Sequence, residues 1–350
     1  MACESHGRAF YYPTNSPHEM IPAKPHKEYE EQLELLLSRG MAIGDKARVI
    51  RKLTQVGYYR LSGFWYISRI IRTSDKGLSY RTDDFLPGTS FEQAYDLYLY
   101  DKKIRMLMMN ALERLEIHIR SVIAHEVGRH DPLAYRKKEF INQRFLSGTV
   151  SRFDDWLTAQ DKKIANSRDE CIQWHRNENK EIPFWVAVET WDFGQMSRYY
   201  AMLNGGMQGK VIRRFGIDNK VTFAKWLTCL NLIRNRCAHH SRIWNRTHPP
   251  VPIPDNHFFS PLGLNANANE RLYSAICIIW YLVKMIGPSS TWIRQVADLI
   301  DSKPSLPGCS FEAMGLPRTG FPRQRFGVDL GFVVADNEPI EPEPTEEADG

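Results

Sequence analysis

No apolar run in this 350-residue chain is long enough to cross a bilayer. The longest, "AICIIWYLV" at 275 to 283, is closed by Lys284 and reads as a buried helix. The opening "MACESHGRAFYYPTNSPHEM" lacks the apolar segment of a secretory signal, so neither membrane nor export is expected. Cysteine is sparse and scattered. Cys3, Cys171, Cys229, Cys237, Cys277 and Cys309 form no C-x-x-C pair, which argues against a zinc ribbon and a disulfide framework and fits a reducing cytoplasm. No repeat of fixed period occurs, and few runs alternate with a period of two, which leaves little material for sheet.

What the chain does contain is enough for a sizeable core: 43% of its residues are hydrophobic and 12% aromatic, with a globular 25% charged. The formal charge of +5 hides an asymmetry. Residues 331 to 350 carry seven acids and no Lys or Arg, which leaves 46 basic against 34 acidic residues, or +12, over residues 1 to 330. That part of the chain suits a polyanionic partner such as nucleic acid, and equally an ordinary basic surface.

Hydrophobic periodicity places helices along most of the sequence. Residues 1 to 26 hold four prolines and no apolar period and read as an extended arm. Tyr29, Leu33, Leu36 and Leu37 share a helix face that Gly40 ends, and Asp45 caps a second helix faced by Val49, Leu53 and Val56. The turn-rich "TSDKGLSYRTDDFLPGTS" then sets a boundary near residue 87. A long core helix follows, capped by Ser90 and ended by Gly128, with Leu97, Ile104, Met108, Leu112, Leu115, Ile119 and Val122 near the helical repeat. Further helices are expected over roughly 151–177, 184–203, 218–245, 268–286 and 290–302. The implied fold is all-α: an arm to 26, a small helical domain over 27–87, a helical bundle over 88–303, and a disordered tail over 304–350 that is acidic from about 335.

The chemistry concentrates in "NLIRNRCAHHSRIWNR", residues 231 to 246. On a continuous helix, Trp226, Leu230, Ile233, Cys237 and Trp244 face the core. Asn235, His239, Arg242 and Arg246 then form a stripe at i, i+4, i+7 and i+11, with Arg234 about 100° away. Such a set can cleave RNA without a metal. An imidazole takes the 2′-hydroxyl proton or gives one to the leaving oxygen, and guanidinium groups stabilise the phosphorane. Base and acid must stand on opposite sides of the phosphorus, so a two-fold homodimer sharing one site is expected. Cys237, His239 and His240 do not follow a common zinc spacing, and neither metal nor other cofactor is expected.

Arg234 and His239 of "RNRCAHH" resemble the ends of the R-x4-6-H motif of the HEPN superfamily of RNA-cleaving helical domains. More closely, "GYYRLSGFWY" (57–66), "PFWVAVETWDFGQMSRYYAML" (183–203) and the 231–246 block, in that order, resemble the Abi-like (AbiD and AbiF type) abortive-infection family of phage-resistance proteins. The resemblance implies a HEPN-type bundle and a dimeric endoribonuclease acting as a defence or toxin-type effector. It assigns Arg234, Asn235 and His239 or His240 to catalysis, with a neutralising antitoxin as a further partner. Analogy with RNA-guided HEPN effectors adds a bound small non-coding RNA.

Arg236, Arg242 and Arg246 are the expected RNA contacts. Glu116 and Arg120, at i and i+4 on the long helix, form either a surface pair or a pair that orients the Arg234 cluster. In "GYYRLSGFWY", core packing by Tyr58, Leu61, Phe64 and Trp65 is favoured over a base-stacking platform beside Arg60 and Arg69. The groups at 136–138 and 161–163, with Lys210, Arg213 and Arg214, are weaker phosphate candidates. Trp185, Val188, Trp191 and Met196 are expected in the core of a helix interrupted at Gly194, where another helix approaches. Besides the endoribonuclease, a non-catalytic RNA-binding module and a helical protein-interaction protein remain open.

Overall fold

A computed structural model describes residues 23–148 and 151–327. Among these residues the chain is mostly helical, in agreement with the all-α expectation. The acidic tail, Cys3 and most of the proline-containing arm lie outside the described residues.

Helix α1 (Tyr29–Ser38) opens on a reciprocal cap between Glu28 and Glu31, and α2 (Lys46–Val56) on the Asp45 carboxylate, which accepts the Arg48 amide at 3.0 Å. Gly57, at φ 88°, turns the chain into α3 (Tyr58–Trp65) without the steric cost that a Cβ would bring there. The turn-rich stretch that follows is an antiparallel hairpin, β1 (Arg69–Thr73) with β2 (Ser79–Phe85), pairing Ile71 with Arg81 and Thr73 with Ser79. Most of its side chains are exposed, so it lacks the alternating apolar face by which a strand is recognised in sequence.

Helix α4 (Phe91–Gly128) is the axis of the bundle, about 57 Å long at 1.5 Å per residue. Ser90 and Gln93 cap it reciprocally, and its core face buries Leu97, Ile104, Met108, Leu112, Leu115 and Ile119, with Ile123 rather than Val122 fully enclosed at the end. Against it pack α7 (Phe184–Ala187), α8 (Phe193–Met202), α9 (Gly205–Arg213), α10 (Lys220–Ala238), α11 (Leu272–Ile286) and α12 (Trp292–Asp301), while α5 (Arg152–Asn166) packs on α8 and α6 (Glu170–Asn177) on α7. One continuous apolar core runs from Leu33 to Phe321. Residues 304–327, within the segment assigned to the tail, pack on it through Leu306, Met314, Leu316 and Phe321. No helix among the described residues is long and apolar enough to cross a membrane.

The expected helix over 184–203 is split. After α7 a 3-10 turn (Val188–Thr190) leads to an extended Trp191, and Asp192 caps α8 by accepting the Gln195 amide at 2.8 Å. The interruption is therefore at Trp191–Asp192 and not at Gly194. Gly194 instead admits α10, since a Cβ there would stand 3.3 Å from the Asn231 side chain. Trp185, expected in the core, is 53% exposed, whereas Val188, Trp191 and Met196 are buried. Helix α9, "GGMQGKVIR", has no counterpart in the sequence reading, because three glycines lower its helical propensity and burial of Val211 and Ile212 overrides them.

One consequence of the packing is a pH dependence. The His118 ring on α4 lies edge-on to Phe215, and burial lowers its pKa below the ordinary 6.5. The unfolded chain then binds this proton at higher pH than the folded one. The associated stability is full above about pH 6.5 and is lost as pH falls from there through the lower folded value. Between pH 7 and pH 5 the urea midpoint of His118→Gln is expected to fall less than that of the wild type; parallel curves would sink this assignment.

Candidate functional site

The local sequence ends α10 earlier than the apolar pattern suggests. His239 is the C-cap, and His240 adopts the left-handed conformation at φ 56°. The His240 amide bonds the Cys237 carbonyl at 3.2 Å and the Ser241 amide bonds the Arg236 carbonyl at 2.8 Å, the double closure of a Schellman motif. A residue with a Cβ thus occupies the position that glycine usually takes, which is why the sequence carries no stop signal here. Replacing His240 with glycine relieves that strain by about 1 kcal/mol relative to alanine at the same site. His240→Gly should therefore unfold at higher urea than His240→Ala; equal midpoints would contradict the left-handed backbone.

The early stop corrects the expected stripe. Asn235 and His239 keep their i, i+4 spacing, but Arg242 and Arg246 lie beyond the helix. Arg242 turns inward, donates to the Gly63 carbonyl of α3 and stacks over Phe64. Trp244 is buried as expected, but by a different device: Asp101 of α4 accepts the Ile243 and Trp244 amides at 3.0 and 2.8 Å. Asp101 is fully buried and pairs with Arg105 at 3.0 Å. Burial pushes its carboxyl up, while the two amides and Arg105 pull it back. Its signal in the sequence is a carboxylate on the core stripe, at i+4 from Leu97 and three before Ile104.

Arg234 leaves α10 on the side facing α4. Its Nε donates to Glu116 Oε2 at 3.3 Å, and Glu116 Oε1 accepts from Arg120 at 3.2 Å. Arg120 extends the chain to Glu189 at 3.1 Å and to the Trp191 carbonyl at 2.9 Å. Glu116 is buried and held between two arginines, so it fixes the Arg234 side chain while both terminal amino groups of Arg234 stay without a hydrogen-bond partner among the described residues. Of the two arrangements open for Glu116 and Arg120, the structure has the one that faces Arg234, with Glu189 as a further member. Asn235 bonds Asn231 one turn earlier at 3.3 Å.

His239 and His240 are exposed at the open helix end, and neither ring has a hydrogen bond among the described residues. Around them stand arginines bonded to main-chain oxygen: Arg60 to the His240 carbonyl at 2.8 Å, Arg236 to the Thr247 carbonyl at 3.0 Å, and Arg242 to Gly63. None of these, nor exposed Arg246, forms a salt bridge among the described residues. Burial and then repulsion by Arg246 lower the pKa of Arg236, and the same two causes take Arg242 down to about 10. Elsewhere Arg136 pairs with Asp161, Lys137 with Asp131, Lys138 with Asp154, Lys163 with Asp192 and Arg214 with Glu126, while Lys210 lies against the His130 ring, Arg213 donates to the Gly209 carbonyl, and Lys162, Lys210 and Arg213 form no salt bridge among the described residues. At residues 60 and 236–246, arginines without a carboxylate partner among the described residues stand beside the exposed rings of His239 and His240. Arg60, Asp101 and Glu189 are the members of this arrangement to which the sequence alone assigns no part in the 231–246 site. Cys237 is buried, which pushes its thiol up to about 12 and makes it a packing residue rather than a thiolate.

A family model described as Abi-like protein matches residues 51–245, which include α3, α4 and the whole of α10 and comprise more than half of the chain. No curated protein and no solved structure matches the chain.

Proposed function

Since this chain belongs to the Abi-like protein family, we propose that it is an abortive-infection effector that cleaves RNA through a HEPN-type site without a metal ion. The observation that supports the reading is that the last turns of α10 carry both an Arg234 held in place by Glu116 and the exposed imidazoles of His239 and His240, beside arginines that lack carboxylate partners among the described residues. Cleavage begins with attack of the 2′-oxygen on phosphorus. One imidazole takes the 2′ proton, the P–O5′ bond breaks, and a second imidazole returns a proton to the departing oxygen. Arg234 stabilises the pentavalent phosphorus, and Arg236 and Arg246 hold flanking phosphates. The products are a 2′,3′-cyclic phosphate and a 5′-hydroxyl.

Arg234 and His239, five residues apart, point about 140° from each other by helical rotation. Arg234 is tied to α4 while the imidazole faces solvent, and a two-fold dimer would supply the second imidazole from its other copy. In this reading the enzyme is cytoplasmic, and a neutralising partner holds it silent in resting cells. The test is incubation of the purified protein with total RNA in excess EDTA beside His239→Ala. Cleavage by the wild type alone, with cyclic phosphate ends, is the expected result. RNA bound by both proteins but cut by neither would replace the enzyme with an RNA-binding module.

A further inference from the structure

The block "GYYRLSGFWY" separates into two parts in the fold. Leu61, Phe64 and Trp65 are buried, and Tyr58 stacks edge-on against Trp65 while its hydroxyl accepts from Arg39 at 3.2 Å. Tyr59 does neither. It is 92% exposed, and its ring and hydroxyl have no contact or hydrogen bond among the described residues, while its carbonyl accepts from the Ser62 hydroxyl at 2.7 Å. Packing therefore explains every aromatic of α3 except this one.

Its position is defined by its neighbours. Arg60 donates to the His240 carbonyl, and Gly63 accepts from Arg242, so two residues of α3 clasp the segment 240–242. Residues 60 and 63 lie at i, i+3, and residue 59 lies at i, i+4 from Gly63, one helical turn or about 6 Å along the axis. Side chains on a helix lean toward its N-terminus, which carries the Tyr59 ring outward from the clasp. An open aromatic side chain thus stands on α3 within one helical turn of the two residues that hold the segment 240–242.

We propose that Tyr59 stacks on an unpaired base of the RNA strand, with Arg60 on the adjoining phosphate. The proposal rests on the ribonuclease reading above. An aromatic ring of this kind needs a base with an exposed π-face, which the interior of a duplex does not offer. In-line attack by the 2′-oxygen likewise requires a backbone free to depart from A-form geometry. Arg60 keeps its main-chain bond through one amino group, leaving its other donors for phosphate.

The experiment compares one oligoribonucleotide, single-stranded and as a blunt duplex, with wild type, Tyr59→Ala, Tyr59→Leu and Tyr59→Trp. Cleavage is followed directly. Binding is followed in the His239→Ala background by quenching of a 2-aminopurine placed along the strand. The wild type is expected to cut the single strand and spare the duplex. Tyr59→Ala and Tyr59→Leu should bind it about 5- to 100-fold more weakly and lose the quenching, while Tyr59→Trp keeps both. Because the ring contributes nothing to the core, all three variants should fold as the wild type does. Unchanged binding and quenching in Tyr59→Ala, or equal cutting of the duplex, overturns the proposal and leaves the ribonuclease intact. A wild type that neither binds nor cuts any RNA overturns the ribonuclease reading and this inference with it.

Discussion

Substituting His239 with alanine is expected to slow RNA cleavage by about 10²- to 10⁴-fold, the usual contribution of a positioned acid or base. The structure makes this a clean experiment. As C-cap, His239 contributes its backbone amide to the Asn235 carbonyl at 2.9 Å, and its exposed ring holds nothing in place, so stability should shift by no more than about 0.5 kcal/mol. Arg234→Ala should cost about 10²- to 10³-fold in turnover for a different reason, loss of charge stabilisation at phosphorus. Both variants should also relieve growth arrest when the protein is expressed. His240 is the internal control. If His240→Gly loses cleavage and His239→Ala keeps it, the proton is carried by the second histidine of the pair. Retention of wild-type cleavage by both variants would remove the imidazoles from the mechanism altogether.

The distribution of what could be read from sequence follows from the range of the interactions involved. Asp45, Ser90 and the core stripe of α4 were legible because caps and amphipathic spacing act within a few residues. The β1–β2 hairpin was not, because its short strands carry exposed side chains and no apolar alternation. The end of α10 was misplaced for a related reason. Trp244 keeps apolar spacing with Cys237, and the chain stops the helix with a histidine in a left-handed conformation rather than with glycine or proline. Site residues on one helix, Arg234, Asn235 and His239, could be named together. Arg60 and Asp101, which act on the 240–244 segment from 180 and 142 residues away in sequence, required the fold.

That distant carboxylate should also carry the largest stability effect outside the apolar core. Asp101→Ala strands Arg105, which is 6% exposed, and leaves the Ile243 and Trp244 amides without their acceptor. Breaking a buried ion pair from one side costs about 3–5 kcal/mol. Chemical denaturation should show a loss in that range, and a loss below about 1 kcal/mol would mean that water replaces the carboxylate without penalty. Asp101→Asn should fall between, since its amide oxygen still accepts the two amides while the charge pairing with Arg105 is gone. The double variant Asp101→Leu with Arg105→Met separates the two contributions. It removes the stranded charge but not the orphaned amides, so it should recover only part of the stability. Full recovery would assign the whole effect to the ion pair and none to the clasp on residues 243 and 244. Partial recovery accompanied by lost RNA cleavage would show that the clasp also sets the path of residues 240–246. On that path depend the Arg60 bond to His240, the inward turn of Arg242 and the exposure of Arg246.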